Sequence, residues 1–261
     1  MQIIVCIKQV PDTTEVKIDP KTNTLVREGV PSIINPFDMY AIEEGLRLRE
    51  KVGGKVTVLS MGPLQVVDSL KEAISMGVDS AVLLSDRAFA GADTLATSYT
   101  LSVGIRKIGQ FDLIICGKQA IDGDTAQVGP GIAELLDIPQ VAFVKKIEEI
   151  TEKSARVQRM TEEGYEVIET PLPALFTVVK EINEPRLPSL KGKIRAKNYQ
   201  PQIWASKDLE VETKRIGLDG SPTQVIKVFT PPPKMGGEIL KGETTEIVEK
   251  VASALRERQI V

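Results

Sequence analysis

The chain has 261 residues, of which 42% are hydrophobic, and a formal net charge of −3. This length allows a sizeable buried core, and the slightly acidic charge gives no general attraction to nucleic acid or to anionic membranes. No histidine is present, which excludes Ser-His-Asp and Cys-His catalysis and histidine-bearing metal sites. The two cysteines, Cys6 and Cys116, are typical of buried positions in a reducing compartment.

The N-terminus, MQIIVCIKQV, has no basic region and no small-residue cleavage site, so it predicts a first strand and not a signal peptide. No stretch reaches the roughly 20 apolar residues that cross a bilayer. We therefore expect a cytoplasmic protein without membrane insertion and without a nucleic-acid partner.

The first 145 residues alternate short apolar runs with amphipathic segments, which predicts a parallel sheet covered by helices on both faces. The predicted strands are 3–10, 56–60, 81–84, 113–116 and 141–144, and the predicted helices are 39–51, 66–76, 94–108 and 127–136. Right-handed crossovers would place the loops after the strands along one edge, where such folds bind ligands. The predicted fold class is α/β, a three-layer, Rossmann-like αβα parallel sheet.

After Lys145 the pattern changes. Segments 155–160 and 165–170 flank TEEG and predict a β-hairpin, PLPALFTVVK predicts another strand, and EPRLPSLKGKIRAKN predicts an exposed basic loop that runs into a short helix. The tail combines a triple proline, a glycine pair and a terminal amphipathic helix. We expect an α/β domain over 1–200 that includes the loop 183–198, and a C-terminal arm over 201–261 that packs on another chain.

One loop carries the strongest signal for a ligand. The segment GKQAIDGDTAQVGP, residues 117–130, follows a predicted strand and leads into a predicted helix. Unpaired N–H groups at a helix start, together with the positive end of the helix dipole, suit a phosphate or diphosphate. Gln127 and Val128 would donate through their backbone. The spacing matches neither the dinucleotide fingerprint nor a Walker loop, so a plain strand–loop–helix turn is the alternative.

Two carboxylates in this loop oppose a phosphate ligand. Asp122 and Asp124 would repel the anion, so we expect them to point away, as a helix cap or toward ribose hydroxyls. Asp124 or Thr125 is the predicted cap, and Pro130 is compatible only with the first turn of the helix.

Two further turns are predicted on the same edge. INPFD, residues 34–38, precedes the first helix, and SMGP, residues 60–63, follows the second strand. Gly62 would let a backbone approach a flat ligand closely. Together the three loops predict a ligand crevice.

These stretches resemble one family over nearly the whole chain. VCIKQVPD, INPFDMYAIEEGLRLRE, LSMGP, EAISMGVD, IICGKQAIDGDTAQVGP and INEPRLPSLKGKIRAKN are similar to the β subunit of electron transfer flavoproteins. The resemblance implies an adenine nucleotide alpha-hydrolase-like fold and a heterodimer with an α subunit that holds FAD. It also implies that the β subunit binds either AMP or, in electron-bifurcating members, a second FAD whose AMP half uses the same pocket.

The resemblance also implies the residues of two sites. The cofactor pocket would comprise Cys6, Asn35, Pro36, Phe37, Asp38, Met61, Gly62, Gly117, Lys118, Gln119, Ala120, Ile121, Asp122, Gly123, Asp124, Thr125, Ala126, Gln127 and Val128. Cys6 and Met61 would be backbone or wall contacts without a redox role. The partner-docking segment would use Arg186, Leu190, Lys191, Lys193 and Arg195, with Leu190 as an apolar anchor in a charged rim.

FAD is favoured over AMP in this pocket. Gly123 leaves room beyond the diphosphate, and VPDT after the first strand resembles the bifurcating type, although no aromatic residue is placed by the sequence to stack on a flavin ring. FAD would then take hydride from NADH, and the electrons would pass to the α-subunit FAD for an acyl-CoA dehydrogenase and to ferredoxin or flavodoxin. Backbone N–H groups near SMGP would tune the flavin potential.

Three other functions are compatible with parts of the pattern. The first is a non-bifurcating carrier subunit with structural AMP. The second is a nucleotide-binding regulatory module of the universal-stress kind, for which a loop richer in glycine and serine is expected. The third is an ATP-using ligase of related fold, which needs a Ser-Gly-Gly loop that KQVPDTTEV lacks.

Overall fold

The structure is a computed structural model that describes residues 1–12, 31–226, 236–237 and 239–261. Its strands are β1 Gln2–Cys6, β2 Gln9–Pro11, β3 Ser32–Ile34, β4 Lys55–Met61, β5 Ser80–Leu84, β6 Leu113–Gly117, β7 Gln140–Ile150, β8 Ser154–Met160, β9 Tyr165–Pro171, β10 Ala174–Val178 and β11 Gln202–Trp204. Its α-helices are α1 Pro36–Val52, α2 Val67–Met76, α3 Thr94–Ile108, α4 Val128–Leu136, α5 Leu190–Asn198 and α6 Thr244–Glu257. The chain divides into two compact units, Met1–Ile226 and Lys227–Val261.

The first unit is built on a nine-stranded sheet in the order β11-β5-β4-β1-β6-β10-β7-β8-β9. The strands from β11 to β7 are parallel, and β7, β8 and β9 continue as an antiparallel ribbon. The chain moves outward from β1 through β4 to β5 and then crosses to β6 on the other side of β1. This reversal is a topological switch point, where α/β sheets form a crevice at the carboxyl ends of their strands.

Alternate side chains of β1 enter two different cores, which makes the domain three-layered. Ile3 and Val5 pack under α1 and α2, whereas Ile4 and Cys6 pack under α3 and α4. Successive side chains of a strand point to opposite faces, and a parallel strand buried on both faces is apolar throughout. The predicted αβα fold is confirmed.

The predicted strand 3–10 is two strands, because the chain leaves the large sheet after Ile7. The amide of Ile7 still donates to Leu59 O at 2.9 Å, but that of Lys8 donates to the carboxylate of Asp38 at 2.7 Å. Residues 9–11 then pair with β3 in a separate two-stranded sheet. This break turns Lys8 and the start of α1 toward the carboxyl edge of the large sheet.

The later part of the chain contains the predicted hairpin, β8–β9, and the short basic helix, α5. The predicted strand 141–144 extends to Ile150, because β7 leaves β10 near Val144 and pairs with β8. The sequence predicted a boundary after residue 200; β11 pairs with β5, and the first compact unit extends to Ile226.

The second unit contains α6, in which no residue is buried within the described part of the chain. The triple proline and Thr13 and Thr14 of the first loop lie outside the described residues. Within the ranges that the structure describes, none of the helices combines the length and apolar character required to cross a bilayer.

Candidate functional site

The site lies where the carboxyl ends of β1 and β6 meet the start of α1. Asp38 is buried at this junction and accepts hydrogen bonds from the backbone amides of Lys8 and Gly117. Burial raises the pKa of Asp38 to about 7, although the hydrogen bonds from Lys8, Asn35 and Gly117 oppose that change. Asp38 therefore links the start of α1 to the chain after β1 and to the end of β6, where the predicted loop begins.

Asn35 fixes the loop itself. Its side chain is 1% exposed, donates to Gln119 O at 2.8 Å and accepts from the amide of Ile121 at 3.1 Å. Pro36 and Phe37 begin α1 directly after it. INPFD and the 117–127 loop thus meet as predicted. The side-chain amide of Asn35 joins them through its two hydrogen bonds.

The two loop carboxylates are both partnered. Asp122 accepts from Lys8 Nζ at 2.6 Å, and Asp124 accepts from Gln119 Nε2. An ion pair cancels much of the negative field that would repel a phosphate. Neither carboxylate caps α4: its N-cap is Gln127, which makes no side-chain cap hydrogen bond, so the predicted cap at Asp124 or Thr125 is wrong. Asp124 has φ 54, a left-handed conformation, so the chain is not yet helical at this residue and α4 begins only after it.

Several consecutive backbone N–H groups at the start of α4 are unpaired. The amides of residues 125–129 have no hydrogen-bond acceptor within the described residues. Ala126 has φ 54 and the following Gln127 has φ −101 and ψ −26, an alternation of hand that is typical of backbone turns whose consecutive amides can face an anion. Pro130 lies in the first turn of α4, as predicted.

The glycines at the site have different roles. A Cβ on Gly117 would lie 2.3 Å from Asp38 Oδ1 and 2.7 Å from the carbonyl carbon of Phe37, and one on Gly129 would lie 2.7 Å from Thr177 Cγ2. These two glycines let α1 and α4 approach the sheet closely. A Cβ on Gly123 would meet nothing within 4 Å, so this position borders open space.

The SMGP turn lies at the carboxyl end of β4, next to β1 in the sheet. Met61 is partly buried against the core below α3 and α4. The amide of Gly62 donates to Leu84 O at 3.0 Å, and a Cβ on Gly62 would lie 2.8 Å from Val66 Cγ2. That amide is therefore committed to the chain's own backbone, which excludes it from the predicted tuning of a flavin potential.

Cys6 and Cys116 are register partners on β1 and β6, and both are free and buried. A hydrogen bond with Cys6 and burial raise the pKa of the Cys116 thiol well above its ordinary value. A thiol with a raised pKa is a poor nucleophile. The burial of both cysteines is as predicted, and Cys6 stays a proposed wall residue of the pocket.

Two aromatic rings lie beside the loop: Phe37, which is among the predicted pocket residues, and Phe143, which the sequence did not indicate. Lys118 Nζ lies 5.9 Å from the centre of the Phe37 ring and 5.6 Å from that of Phe143. Phe143 has φ 61, a conformation that a bulky residue adopts only when its surroundings impose it. Phe143 lies where the pairing register between β7 and β10 shifts, and its amide donates to Thr177 Oγ1 at 3.0 Å.

The predicted docking segment lies elsewhere, on α1 and α2. Leu190 is 77% exposed at the start of α5, where the Ser189 side chain accepts from the Gly192 amide at 2.9 Å. Lys191 and Lys193 lie on the same helix, and Arg195 donates to Asp79 O at 2.8 Å. Arg186 is engaged in ion pairs with α1.

Sequence reasoning missed several residues that the structure brings to these places. Lys8 and Phe143 border the loop, whereas Leu187 and Ile194, 90% and 60% exposed, extend the apolar surface around Leu190. Lys8 lies two residues after the end of β1, but the predicted strand 3–10 placed it inside a strand, so its position at the carboxyl edge was not indicated. Ile194 lies one helical turn from Leu190, which was a usable signal.

Comparison with known proteins gives consistent results. Residues 22–209 match the Electron transfer flavoprotein domain. Over all of both chains, the protein is 55% identical to the electron transfer flavoprotein subunit beta of Thermoanaerobacterium thermosaccharolyticum and 51% identical to the caffeyl-CoA reductase-Etf complex subunit CarD of Acetobacterium woodii. It is 49% identical to protein FixA of Azotobacter vinelandii, over 90% of this chain and 85% of that one.

Proposed function

This chain belongs to the electron transfer flavoprotein family as a β subunit with a role in electron transfer, and on that premise we propose that its 117–128 loop holds the AMP half of FAD. The AMP half ends in one phosphate of the FAD diphosphate, and that diphosphate would face the unpaired amides at the start of α4. Family membership supports neither a universal-stress module nor an ATP-using ligase.

One observation carries the proposal: the loop offers unpaired donors, while Asp122 is paired with a cation and Asp124 accepts a hydrogen bond from Gln119. The amides of residues 125–129 have no acceptor within the described residues, and Asp122 is paired with Lys8 at 2.6 Å. Backbone donors at a helix start bind phosphate without a specific side chain. The residues present therefore fit the phosphate groups of an adenine nucleotide.

The open space at Gly123 favours FAD over AMP. AMP ends at its single phosphate, whereas FAD continues beyond that phosphate and needs volume there, and a Cβ on Gly123 would meet nothing within 4 Å. The rings of Phe37 and Phe143 and the ammonium group of Lys118 border the same loop and could form a wall for a flat ligand.

FAD, when bound, takes a hydride and releases its two electrons singly. The residues of this chain would bind, orient and shield it: the 125–129 amides hold the phosphate end, Asn35 fixes the loop, and Gly117 and Gly129 keep both helices close. The proposed donor is NADH. The proposed recipients are the α-subunit FAD, which passes its electron to an acyl-CoA dehydrogenase, and ferredoxin or flavodoxin.

Electron transfer flavoprotein β subunits pair with an α subunit. We further propose that the arm over 201–261 provides part of that pairing and that Leu190, with Lys191, Lys193 and Arg195, docks the dehydrogenase. The name of the Acetobacterium woodii relative places that protein in a complex with a caffeyl-CoA reductase, which supports a partner that acts on a CoA derivative. The free, buried cysteines support a reducing compartment such as the cytoplasm.

The experiment that tests the cofactor is a count of bound groups. The heterodimer is purified, its flavin and adenine nucleotide are released and quantified, and its visible spectrum is recorded with and without NADH. Two flavins per heterodimer and bleaching by NADH are expected. One flavin with one AMP would refute the FAD proposal and leave a simple carrier with structural AMP.

A further inference from the structure

Arg186 ties the segment before α5 to α1 through a set of ion pairs. Arg186 Nε donates to Glu43 Oε2 at 2.7 Å and its Nη2 donates to Glu43 Oε1 at 3.1 Å. The same Nη2 donates to Glu50 Oε2 at 3.1 Å, and the Arg186 amide donates to Glu43 Oε2 at 3.1 Å. The planar guanidinium thus bridges two carboxylates.

The spacing along α1 makes this bridge possible. Glu43 and Glu50 are seven residues apart, which places them on one face two turns apart. The Glu43 side chain is only 4% exposed. Burial by itself would raise the pKa of Glu43, but the hydrogen bonds from Arg186 and Arg47 outweigh burial and lower it. The carboxylate therefore stays charged and the arginine is held firmly.

Further contacts fix the backbone on both sides of Arg186. Asn183 Nδ2 donates to Tyr40 O and to Glu44 Oε2, both at 3.0 Å. On the other side, Gly192 approaches α2 so closely that a Cβ there would lie 1.9 Å from Ser75 O. The apolar side chains between these anchors stay exposed, with Leu187 at 90% and Leu190 at 77%.

We propose that Arg186 is a positioning residue that presents Leu187 and Leu190 to the partner dehydrogenase in one fixed arrangement. This rests on the proposed docking function, but it gives Arg186 a different part from direct contact, because its guanidinium is committed to Glu43 and Glu50. A surface that is already ordered loses less conformational entropy on binding, so docking is tighter. Without the bridge, only a fraction of molecules would hold the competent arrangement, and the apparent affinity would fall by that fraction.

The test compares two variants of the heterodimer, Arg186→Met and Arg186→Lys, with a purified acyl-CoA dehydrogenase as the electron acceptor. The KM for the dehydrogenase should rise about tenfold in both variants, as if about one molecule in ten were competent, and kcat should stay unchanged. Lysine keeps the positive charge but cannot form the planar bridge. Amide hydrogen exchange over residues 187–194 should also become faster in both variants.

Arg47→Met is the matched control. Arg47 Nε also donates to Glu43, at 3.0 Å, but from α1 itself, so its loss removes a guanidinium from the same carboxylate and leaves the segment attached. Its KM should equal that of the wild type. Glu50→Gln weakens the bridge from the exposed side and should raise KM by a smaller factor, about threefold.

Three results would overturn the inference. If Arg186→Lys restores the wild-type KM while Arg186→Met does not, the charge contacts the partner directly. If neither variant changes KM while Leu190→Ala raises it, the docking function stands and the positioning role fails. If Leu190→Ala has no effect on KM, the docking function itself fails.

Discussion

Asp38 should make the stability of this protein fall as the pH rises toward neutrality. Burial raises its pKa from 3.8 to about 7 in the folded state. Between these values the unfolded chain loses the proton and the folded chain keeps it, so folding becomes less favourable with each pH unit and levels off above pH 7. The shift of about three units corresponds to about 4 kcal/mol, of which about 3 kcal/mol falls between pH 5 and pH 8.

Asp38→Asn removes this titration. Asparagine has a single side-chain oxygen and an NH2 donor where the carboxyl group of Asp38 meets the Lys8 and Gly117 amides, so the variant should start less stable than the wild type and gain on it as the pH rises. The measurement is the free energy of unfolding in urea at several pH values from 5 to 8. A stability difference that is independent of pH would refute the reasoning.

Asp86→Asn is the control for that series. Hydrogen bonds, the strongest from the Ser206 hydroxyl, lower the pKa of Asp86 to about 2. A lowered pKa contributes stability that is present above the unfolded value and lost as the pH falls through the folded value. Its titration is therefore complete below pH 5, and the difference between Asp86→Asn and the wild type should stay constant from pH 5 to 8.

Other substitutions test the phosphate site. Gly117→Ala would bring a methyl group within 2.3 Å of Asp38 Oδ1, so it should destabilise the fold by about 1–3 kcal/mol, measured as a urea midpoint; an unchanged midpoint would contradict the packing. Gly123→Ala borders open space and should change stability by less than about 0.5 kcal/mol while reducing the adenine nucleotide retained on purification; full retention would place the ligand elsewhere. Lys8→Met leaves Asp122 without its ion pair and should weaken nucleotide binding by about 1 kcal/mol, or roughly fivefold in Kd by calorimetry; an equal Kd would mean that the pair does not face the ligand.

The regular elements could be predicted because their hydrophobic patterns are strong and local. Helix α3 runs from Thr94 to Ile108, as predicted, with the Asp93 side chain as its cap. The three-residue strands β3 and β11 were missed, since a strand of that length has too few residues to show a period. β7 was predicted too short because its outer half, up to Ile150, is a strand only through pairing with β8.

The loops of the candidate site could be predicted from the sequence, but the contacts that individual side chains make there could not. The sequence indicated that Asp122 and Asp124 must be turned away from a phosphate, and the structure supplies the partners, Lys8 and Gln119. Lys8 is 114 residues from Asp122. No local pattern can indicate a pair so distant, because it forms only when β1 and β6 lie side by side.

By itself, the sequence determined the αβα layering, the loop that follows β6, and the family, because each depends on residues that are close together in the chain. Only the tertiary structure decided which amides stay unpaired, which acids are neutralised and what Arg186 binds. The physical reason is that hydrogen bonds, ion pairs and burial depend on distances across the fold. Glu43 and Arg186, which are 143 residues apart, become neighbours only when α1 and the segment before α5 pack together.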